Sequence, residues 1–379
     1  MTDDDLRFGF GKNWADFVAT QLTEDRIAQA EKHLLRFLGL DNLKGRRFLD
    51  IGCGSGLHSL AALRAGAERI VSFDFDPDSV ATTLQLRAFA DSPQRWSVTQ
   101  GSVLDRDFMN TLEPADIVYS WGVLHHTGAM WKAIENAAIP MTPDGVFYIA
   151  LYSSDAYIDP PPAYWLDLKR RYNLAGPLTK RWMEWQYAWR GSIWPEMRIW
   201  RNPLEVIRSY SKFRGMSYWT DVRDWLGGYP MEFAGNRETA VFCRERLGLD
   251  LINIYAGEGN TEFLFRRHGA GNYWDQIVAS RKLVPLTGPF IHRTGHAYQL
   301  DLPQFADRAD DSNDPRRSRL MLYEDSAPLG FAHQSHATIE AHGGGRYSHW
   351  CHYFVFSASD NSDPNSNGRQ YAVADDGLP

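Results

Sequence analysis

The feature that most constrains the fold is a regular alternation of short apolar runs with helix-like segments between residues 45 and 152. Each run has the length and apolar content of a buried strand, and the helix-like segments repeat their apolar residues every three to four positions. The five runs are RRFLDIG, RIVSFDFD, WSVTQGSVLD, ADIVYSWGVLHH and GVFYIALY. This alternation predicts an α/β fold with a parallel sheet, helices on both faces and right-handed crossovers.

The alternation stops at residue 153 and resumes near residue 236. The intervening stretch is rich in Pro, Trp, Tyr and Arg, which predicts a mainly helical, irregular insertion. After it, NRETAVFCRERLG predicts a helix, and LDLINIYAG and NTEFLFRR predict two strands of a tight antiparallel hairpin. We therefore expect four regions. They are an N-terminal lid and helix at 1–44, a core domain at 45–152 and 236–268, a cap-like insertion at 153–235 and a β-rich module at 269–379.

The bulk properties exclude several classes of protein. The chain of 379 residues carries a formal net charge of −7 and no long block of Lys and Arg, so nucleic acid is an unlikely partner. Its three cysteines are few and far apart, which indicates no disulfide framework. No apolar run approaches the roughly 18 residues of a membrane span, and the acidic start lacks the profile of a secretion signal. We therefore expect no membrane span and a cytoplasmic location.

The first strand runs into a glycine-rich turn at residues 49–56, LDIGCGSG. Glycines suit this turn because they adopt unusual dihedrals and let a ligand approach the backbone. The turn alone would also fit a dinucleotide-binding protein, although that fingerprint has the wider spacing Gly-x-Gly-x-x-Gly. The second strand ends at Asp74, which can accept hydrogen bonds from both hydroxyls of a ribose or can cap a helix. GSVLD after the third strand suits an adenine edge, and the combination is more specific than any one part.

With these motifs the sequence resembles the class I S-adenosylmethionine-dependent methyltransferases. The matching segments are FLDIGCGSG, VSFDFDP, GSVLD, DIVYSWGVLHHTG and PDGVFYIALY. The resemblance covers residues 45–152 closely and 236–267 more loosely. It implies a Rossmann-like sheet of seven strands that ends in a reversed hairpin strand, and S-adenosylmethionine as cofactor. FGFGKNW and DWLGGYPMEFA look like features of a bacterial subgroup with an extra C-terminal module.

The resemblance also implies roles for individual residues. The turn from Gly52 to Gly56 would lie against the methionine part of the cofactor, Asp74 against the ribose, and Trp121 near the sulfonium. The segment that contains Trp14 would close over the cofactor and exclude water, although it equally fits a hydrophobic staple on the first helix. The expected cofactor-binding residues are Asp50, Gly52, Cys53, Gly54, Gly56, Asp74, Phe75, Ser102, Val103, Trp121 and Trp14.

Methyl transfer to a hydroxyl is helped by a general base. His125 and His126 follow the fourth strand, and histidine titrates near neutral pH. Adjacent side chains point in different directions, so we expect at most one of them to face the site, and both also fit a helix cap or a backbone contact. Glu232 is a further candidate, and the expected catalytic residues are His125, His126 and Glu232.

The insertion holds eight of the 14 tryptophans. Trp182, Trp185 and Trp189 fall at helical spacing, which favours a core stripe over a ligand platform. The rest of the insertion suits a substrate cap, because flat aromatic faces favour sugar rings, other aromatic groups or cations. The expected substrate-binding residues are Tyr152, Arg214, Asp224, Trp225 and Tyr229.

The C-terminal region holds seven of the twelve histidines. Their spacing fits no closed zinc signature, and His349 and His352 would face opposite sides of an extended strand, so we expect no metal. We expect a β-rich module that helps to bind an extended acceptor or to hold a homo-oligomer together.

Three functions stay open at this point. The first is O-methylation of a saccharide, a glycan precursor or a related small molecule. The second is N- or C-methylation of a small metabolite or natural product. The third is a scaffold that binds the cofactor without catalysis.

Overall fold

The computed structural model describes residues 11–198, 202, 204–205, 207–208, 210, 218–257, 259–267 and 273–375. Seven strands form one sheet in the order β3-β2-β1-β4-β5-β7-β6. They are β1 (Arg47–Ile51), β2 (Arg69–Asp74), β3 (Trp96–Gln100), β4 (Ala115–Trp121), β5 (Met141–Tyr152), β6 (Leu249–Ala256) and β7 (Asn260–Arg267). Strand β1 pairs in parallel with β2 and β4, whereas β7 is antiparallel to β5 and β6. The predicted α/β class and the reversed strand are confirmed.

The chain divides into two compact units. The first unit holds Met1–Leu35, Leu40–Met141 and Tyr157–Phe233, and the second holds Arg36–Gly39, Thr142–Ala156 and Ala234–Pro379. The four functional regions expected from the sequence are a different kind of division, and they stay a prediction.

In the first unit, helices precede or connect the strands β1 to β4. They are α1 (Gly11–Thr20), α2 (Glu24–Leu38, whose last residues belong to the second unit), α3 (Leu57–Arg64), α4 (Pro77–Ala88), α5 (Arg106–Thr111) and α6 (Met130–Ala137). Side-chain oxygens of Asp76 and Asp105 accept backbone N–H groups at the starts of α4 and α5, as expected of N-cap residues. These caps fix where each helix begins, directly after the carboxyl ends of β2 and β3.

The insertion is mainly helical, as predicted. Its helices are α7 (Pro162–Leu174), α8 (Pro177–Ala188), α9 (Trp194–Arg198) and α10 (Tyr218–Gly227), with a π-helical turn at Trp189–Ile193. Their shared core is formed by Tyr172, Ala188, Ile193, Tyr218, Val222 and Leu226.

The expectation that Trp182, Trp185 and Trp189 form a core stripe is wrong. Their side chains are 63%, 53% and 47% exposed. The face of α8 that packs inward carries Glu184 and Ala188 instead. Helical spacing correctly placed the three tryptophans on one face, but that face points to solvent.

In the second unit, α11 (Asn236–Leu247) directly precedes the hairpin of β6 and β7, and α12 (Tyr273–Ser280) and the C-terminal module follow it. One four-stranded sheet of the module has the order β13-β14-β10-β9, and the other has the order β12-β11-β15-β8. The strands are β8 (Val284–Leu286), β9 (Ile291–His292), β10 (Tyr298–Asp301), β11 (Leu320–Glu324), β12 (Ala327–Pro328), β13 (Tyr347–Trp350), β14 (Tyr353–Phe356) and β15 (Tyr371–Asp375), with α13 (His336–His342) between β12 and β13. The β-rich module is confirmed.

The segment HWCHYFVF is a hairpin and not the single strand that the sequence suggested. The chain turns at Cys351, which has a φ of 54°, so β13 and β14 pair in antiparallel fashion. His349 is buried on β13, whereas His352 lies exposed in the turn. The two histidines therefore do not share a strand.

Within the described residues, none of the helices has both the length and the apolar character needed to cross a membrane.

Candidate functional site

The glycine turn after β1 is built from left-handed backbone. Gly52, Gly54 and Gly56 have φ values of 74°, 54° and 79°, which side chains other than hydrogen rarely permit. A Cβ atom at Gly52 would lie 2.5 Å from the side chain of Val123, on the loop after β4. The turn is thus shaped by its own dihedrals and by close packing against the neighbouring loop.

Asp74 at the end of β2 is bonded to this turn. Its Oδ2 accepts the N–H of Gly54 at 2.9 Å, and its Oδ1 accepts the N–H of Asp76 at 2.9 Å. Burial raises the pKa of Asp74, while these backbone N–H groups act in the opposite direction. A carboxylate has about four acceptor positions, so Asp74 can accept a hydrogen bond from a ligand beside those from the backbone.

Asp50 lies beneath the turn and is almost fully buried. Ser59 donates to its Oδ2 at 2.5 Å and contacts Ser72 at 2.6 Å, and the indole of Trp96 donates to Ser72 at 2.7 Å. Burial raises the pKa of Asp50 to about 7, with the charge of Asp74 adding to the effect and the Ser59 bond opposing it. Asp50 therefore organises the underside of the turn.

The N-terminal helix α1 reaches the same turn. A Cβ atom at Gly54 would lie 3.0 Å from the indole nitrogen of Trp14. The N–H of Gly11, the first residue of α1, donates to Asp76 Oδ2 at 2.9 Å. Trp14 thus lies next to the glycine turn.

The remaining expected cofactor residues lie at the carboxyl ends of β1 to β4. Cys53 is buried in the turn, and Thr83 of α4 contacts its sulfur at 3.3 Å. Val103 is buried, and Asn136 donates to its carbonyl oxygen at 2.9 Å, while Ser102 accepts the N–H of Leu104. Two aromatic side chains at this edge stay exposed, Phe75 at 55% and Trp121 at 40%. In open α/β sheets, ligands bind at this edge where the strand order reverses, here between β1 and β4.

The loop after β4 brings the three expected catalytic residues together. His125 and His126 end a 3₁₀ turn, and their rings lie 4.4 Å apart. The N–H of Glu232 donates to the carbonyl of His125 at 2.8 Å, and the Glu232 carboxylate accepts the N–H of Met130, the first residue of α6, at 2.8 Å. Burial raises the pKa of Glu232, and the Met130 bond opposes the shift. Glu232 thus caps α6 at its N-terminus.

The two histidines differ in environment. His125 is fully buried, and burial, assisted by His126 and Lys169, lowers its pKa well below the ordinary value. His126 is half-buried, and its Nδ1 lies 2.8 Å from the carbonyl oxygen of Pro230. A carbonyl can only accept, so Nδ1 carries the hydrogen and the lone pair of a neutral His126 is on Nε2. A backbone contact therefore fixes the ring orientation of His126, whereas His125 is fully enclosed.

The sequence prediction missed Lys169 of α7, which is 1% exposed. Its ammonium donates to the carbonyl of Trp225 and lies 4.1 Å from the centre of the Trp225 ring. Burial lowers the pKa of Lys169 to about 7, and Asp224 partly counteracts this. The available signal was the spacing of Lys169 and Tyr172, which share the buried face of α7.

Trp225 is the centre of an aromatic group in the insertion. Its ring stacks on Tyr157 at 5.9 Å and meets Trp165 edge-on at 5.1 Å. Asp224 precedes Trp225 in α10, and Tyr229 follows the end of this helix. At that end, Asn173 donates to the carbonyl of Gly227 at 2.9 Å. Three of the expected substrate residues thus lie on one short segment.

Two expected substrate residues are not part of this arrangement. Tyr152 ends β5 in the second unit, where its carbonyl accepts the N–H of Ala234. Arg214 lies outside the described residues.

The histidines of the C-terminal module have local partners. His333 Nδ1 lies 2.7 Å from Asp310, and His349 Nδ1 lies 2.8 Å from the hydroxyl of Ser318. In the part of the chain that the structure describes, no three His, Cys, Asp or Glu side chains are grouped as metal ligands.

The chain was compared with protein families, curated proteins and solved structures. The model of the methyltransferase-domain family matches residues 22–212, just over half of the chain. A tRNA U34 carboxymethyltransferase of Methylococcus capsulatus is 39% identical over 84 residues, which are 22% of this chain and 25% of that protein. A ribosomal protein L11 methyltransferase of Tolumonas auensis is 46% identical over 46 residues, which are 12% of this chain and 16% of that protein. The chain therefore spans a quarter or less of the length of these relatives.

Similar solved structures include an O-methyltransferase family protein from Burkholderia thailandensis. It is 15% identical with a TM-score of 0.40, and the match covers 64% of this chain and 55% of that one. Another is magnesium protoporphyrin IX methyltransferase from Synechocystis with bound S-adenosylhomocysteine. It is 13% identical with a TM-score of 0.37, and the match covers 64% and 83% of the two chains.

Proposed function

The chain belongs to the class I S-adenosylmethionine-dependent methyltransferases, and we propose that it methylates an oxygen atom of a saccharide, a glycan precursor or a related small molecule. S-adenosylmethionine is the donor. In this proposal residues 45–152 and 236–268 form the catalytic domain and residues 153–235 the substrate cap. The observation that carries the proposal is the hydrogen bond from the Gly54 N–H to Asp74. It joins the glycine turn to an acid at the carboxyl ends of the parallel strands, where ligands bind in such sheets.

The residues at this edge fit a nucleoside that bears a positive charge. Asp74 is an acceptor-only group whose carboxylate can accept a hydrogen bond from a ribose hydroxyl beside those from the backbone. Asp50 and Asp74 lie near enough for the charge of Asp74 to raise the pKa of Asp50, so a cation nearby relieves their repulsion. When bound, the sulfonium supplies an activated methyl group. The chain's own part is to hold the donor, orient the acceptor and exclude water, the last with Trp14.

His126 is the residue that we propose as general base. Its Nδ1–H is directed to the carbonyl of Pro230, so the lone pair of the neutral ring is on Nε2, the atom to which the proton of an acceptor hydroxyl would pass. Glu232 holds the loop by its bonds to His125 and Met130, and so positions this base. His125, being fully buried, would contribute to the shape of the loop.

The acceptor class rests on the aromatic group around Trp225. The insertion is rich in aromatic side chains, whose flat faces favour sugar rings, and Asp224 and Tyr229 add polar groups close to Trp225 in the chain. The sequence also predicts Tyr152 and Arg214 as acceptor-binding residues. The relatives named above act on tRNA or a ribosomal protein, but a net charge of −7 favours a small acceptor over a polyphosphate.

The proposal is tested by incubating the full chain with methyl-labelled donor and a cell extract, followed by mass spectrometry of the labelled products. We expect the label on a hydroxyl oxygen of a small saccharide-containing product, and we expect the Asp74→Asn variant to yield less of it at a donor concentration near the Kd of the unchanged protein. Label on nitrogen or carbon would contradict O-methylation and support N- or C-methylation of a small metabolite or natural product. Donor binding without any labelled product would contradict the proposal and support the third function, a scaffold that binds the cofactor without catalysis.

A further inference from the structure

One face of α8 exposes a continuous apolar stripe. Leu178 is 88% exposed, and Trp182, Trp185 and Trp189 follow it at intervals of four, three and four residues. These intervals place all four side chains on one side of a helix, over a length of about 16 Å. The indole of Trp194, itself 48% exposed, lies 6.1 Å from that of Trp189 and extends the stripe onto α9. Contiguous exposed apolar surface of this kind marks an interaction site.

The helices that carry the stripe, and helix α7 before them, are rich in exposed arginine. Five exposed arginines lie on α7, α8, α9 and the π-helical turn: Arg170, Arg171, Arg181, Arg190 and Arg198. Among the described charged side chains of this segment, Asp167 is the exposed acid, and it is paired with Arg171 at 2.9 Å. Glu184 is buried and paired with Arg223. This basic segment stands out in a chain whose net charge is −7.

We propose that this face of α8 docks on the surface of an anionic lipid bilayer. Tryptophan is the side chain that favours the headgroup level of a membrane, because its ring is apolar and its N–H is polar. Helices with such a face and flanking Lys or Arg lie in the interface without spanning the bilayer. The acidic remainder of the chain is repelled by anionic lipid, so the basic stripe is the part that turns toward it.

Two other occupants fit the surface less well. A symmetric dimer through the stripe would bring the exposed arginines of two copies, Arg181 and Arg190 among them, into one interface, and like charges oppose that contact. Single-stranded RNA stacks its bases on aromatic rings. The most exposed member of the stripe is Leu178, which offers no flat ring.

The test is sedimentation of the full chain with vesicles of phosphatidylcholine alone or mixed with phosphatidylglycerol. We expect binding to the mixed vesicles, with a blue shift of tryptophan fluorescence, and little binding to phosphatidylcholine alone. Arg181→Gln should lower the partition coefficient about fivefold, because a basic residue near an anionic surface contributes by about that factor. Trp182→Ser combined with Trp185→Ser should abolish binding.

Matched controls lie elsewhere in the first unit. Phe89→Ser removes an apolar side chain that is 87% exposed, and Arg95→Gln removes an exposed arginine; both should bind vesicles like the unchanged protein. Arg181→Gln alters an exposed side chain and keeps the proposal testable if the tryptophan double variant does not fold. Equal binding to both kinds of vesicle, or no binding, overturns the proposal. So does a stripe-dependent dimer or stripe-dependent RNA binding in the absence of vesicle binding.

Discussion

Two acids beside the glycine turn, Asp50 and Asp74, determine the charge of this part of the molecule. Asp50 and Asp74 lie on neighbouring strands, and both have pKa values raised by burial. A buried acid whose pKa is raised, as that of Asp50 is to about 7, is unusual under a ligand site. It becomes explicable when the ligand is a cation that compensates the second negative charge.

Asp50 makes stability depend on pH. Its pKa rises from 3.8 in the unfolded chain to about 7 in the folded one, so its contribution to stability is fully present below pH 3.8 and is lost as the pH rises through 7. Relative to the Asp50→Asn variant, the unchanged protein should therefore lose stability by ~1.4 kcal/mol per pH unit between these limits. Urea unfolding of both proteins at several pH values measures this difference. A difference that is independent of pH would show that Asp50 does not titrate there.

His126 is tested by a substitution that keeps its backbone contact. The amide of His126→Asn can still donate to the Pro230 carbonyl, but it cannot accept a proton. We expect kcat to fall by about 10²- to 10⁴-fold while the donor's Kd stays the same. Steady-state kinetics with the identified acceptor, together with calorimetry of the donor, separates the two effects. Unchanged kcat would place the base elsewhere.

At the scale of elements, the packing of the turn between β1 and α3 can be tested by comparing Gly52 in this turn with Gly122 on the loop after β4, which has a similar φ. Gly52 has a φ of 74° and a close neighbour in Val123, whereas Gly122 has a φ of 75° and no atom within 4 Å of its missing Cβ. Gly122→Ala should cost only the left-handed strain, about 1–2 kcal/mol. Gly52→Ala should cost about 1–3 kcal/mol more, because Val123 must move. Urea unfolding midpoints give both values, and equal losses would contradict the packing described here.

The elements also show what sequence patterns leave undetermined. Spacing placed Trp182, Trp185 and Trp189 on one helix face, but it carries no information on whether a partner covers that face. The hairpin at Cys351 went unrecognised because its positive φ falls on a residue without the glycine or asparagine that marks such turns. Lys169 was overlooked because its burial depends on Trp225, which is distant in sequence.

At the scale of the whole molecule, local alternation and the family resemblance were sufficient to predict the seven-stranded sheet. The glycine turn, Asp74 and the loop of His125 and His126 follow directly from strand ends, so their placement could be predicted as well. The topology of the C-terminal module could not. Its strand β8 pairs with β15 across most of the module, and such long-range pairing leaves no local pattern.

The central claim is that the glycine turn and Asp74 hold the nucleoside of S-adenosylmethionine. Isothermal titration of the full chain with S-adenosylmethionine, with its demethylated product and with NAD tests this most directly. We predict saturable binding of the first two, weakened roughly 10- to 100-fold by Asp74→Asn through the loss of charged hydrogen bonds to the ribose, and no heat with NAD. Competition by NAD, or the same affinity in the Asp74→Asn variant, would contradict it.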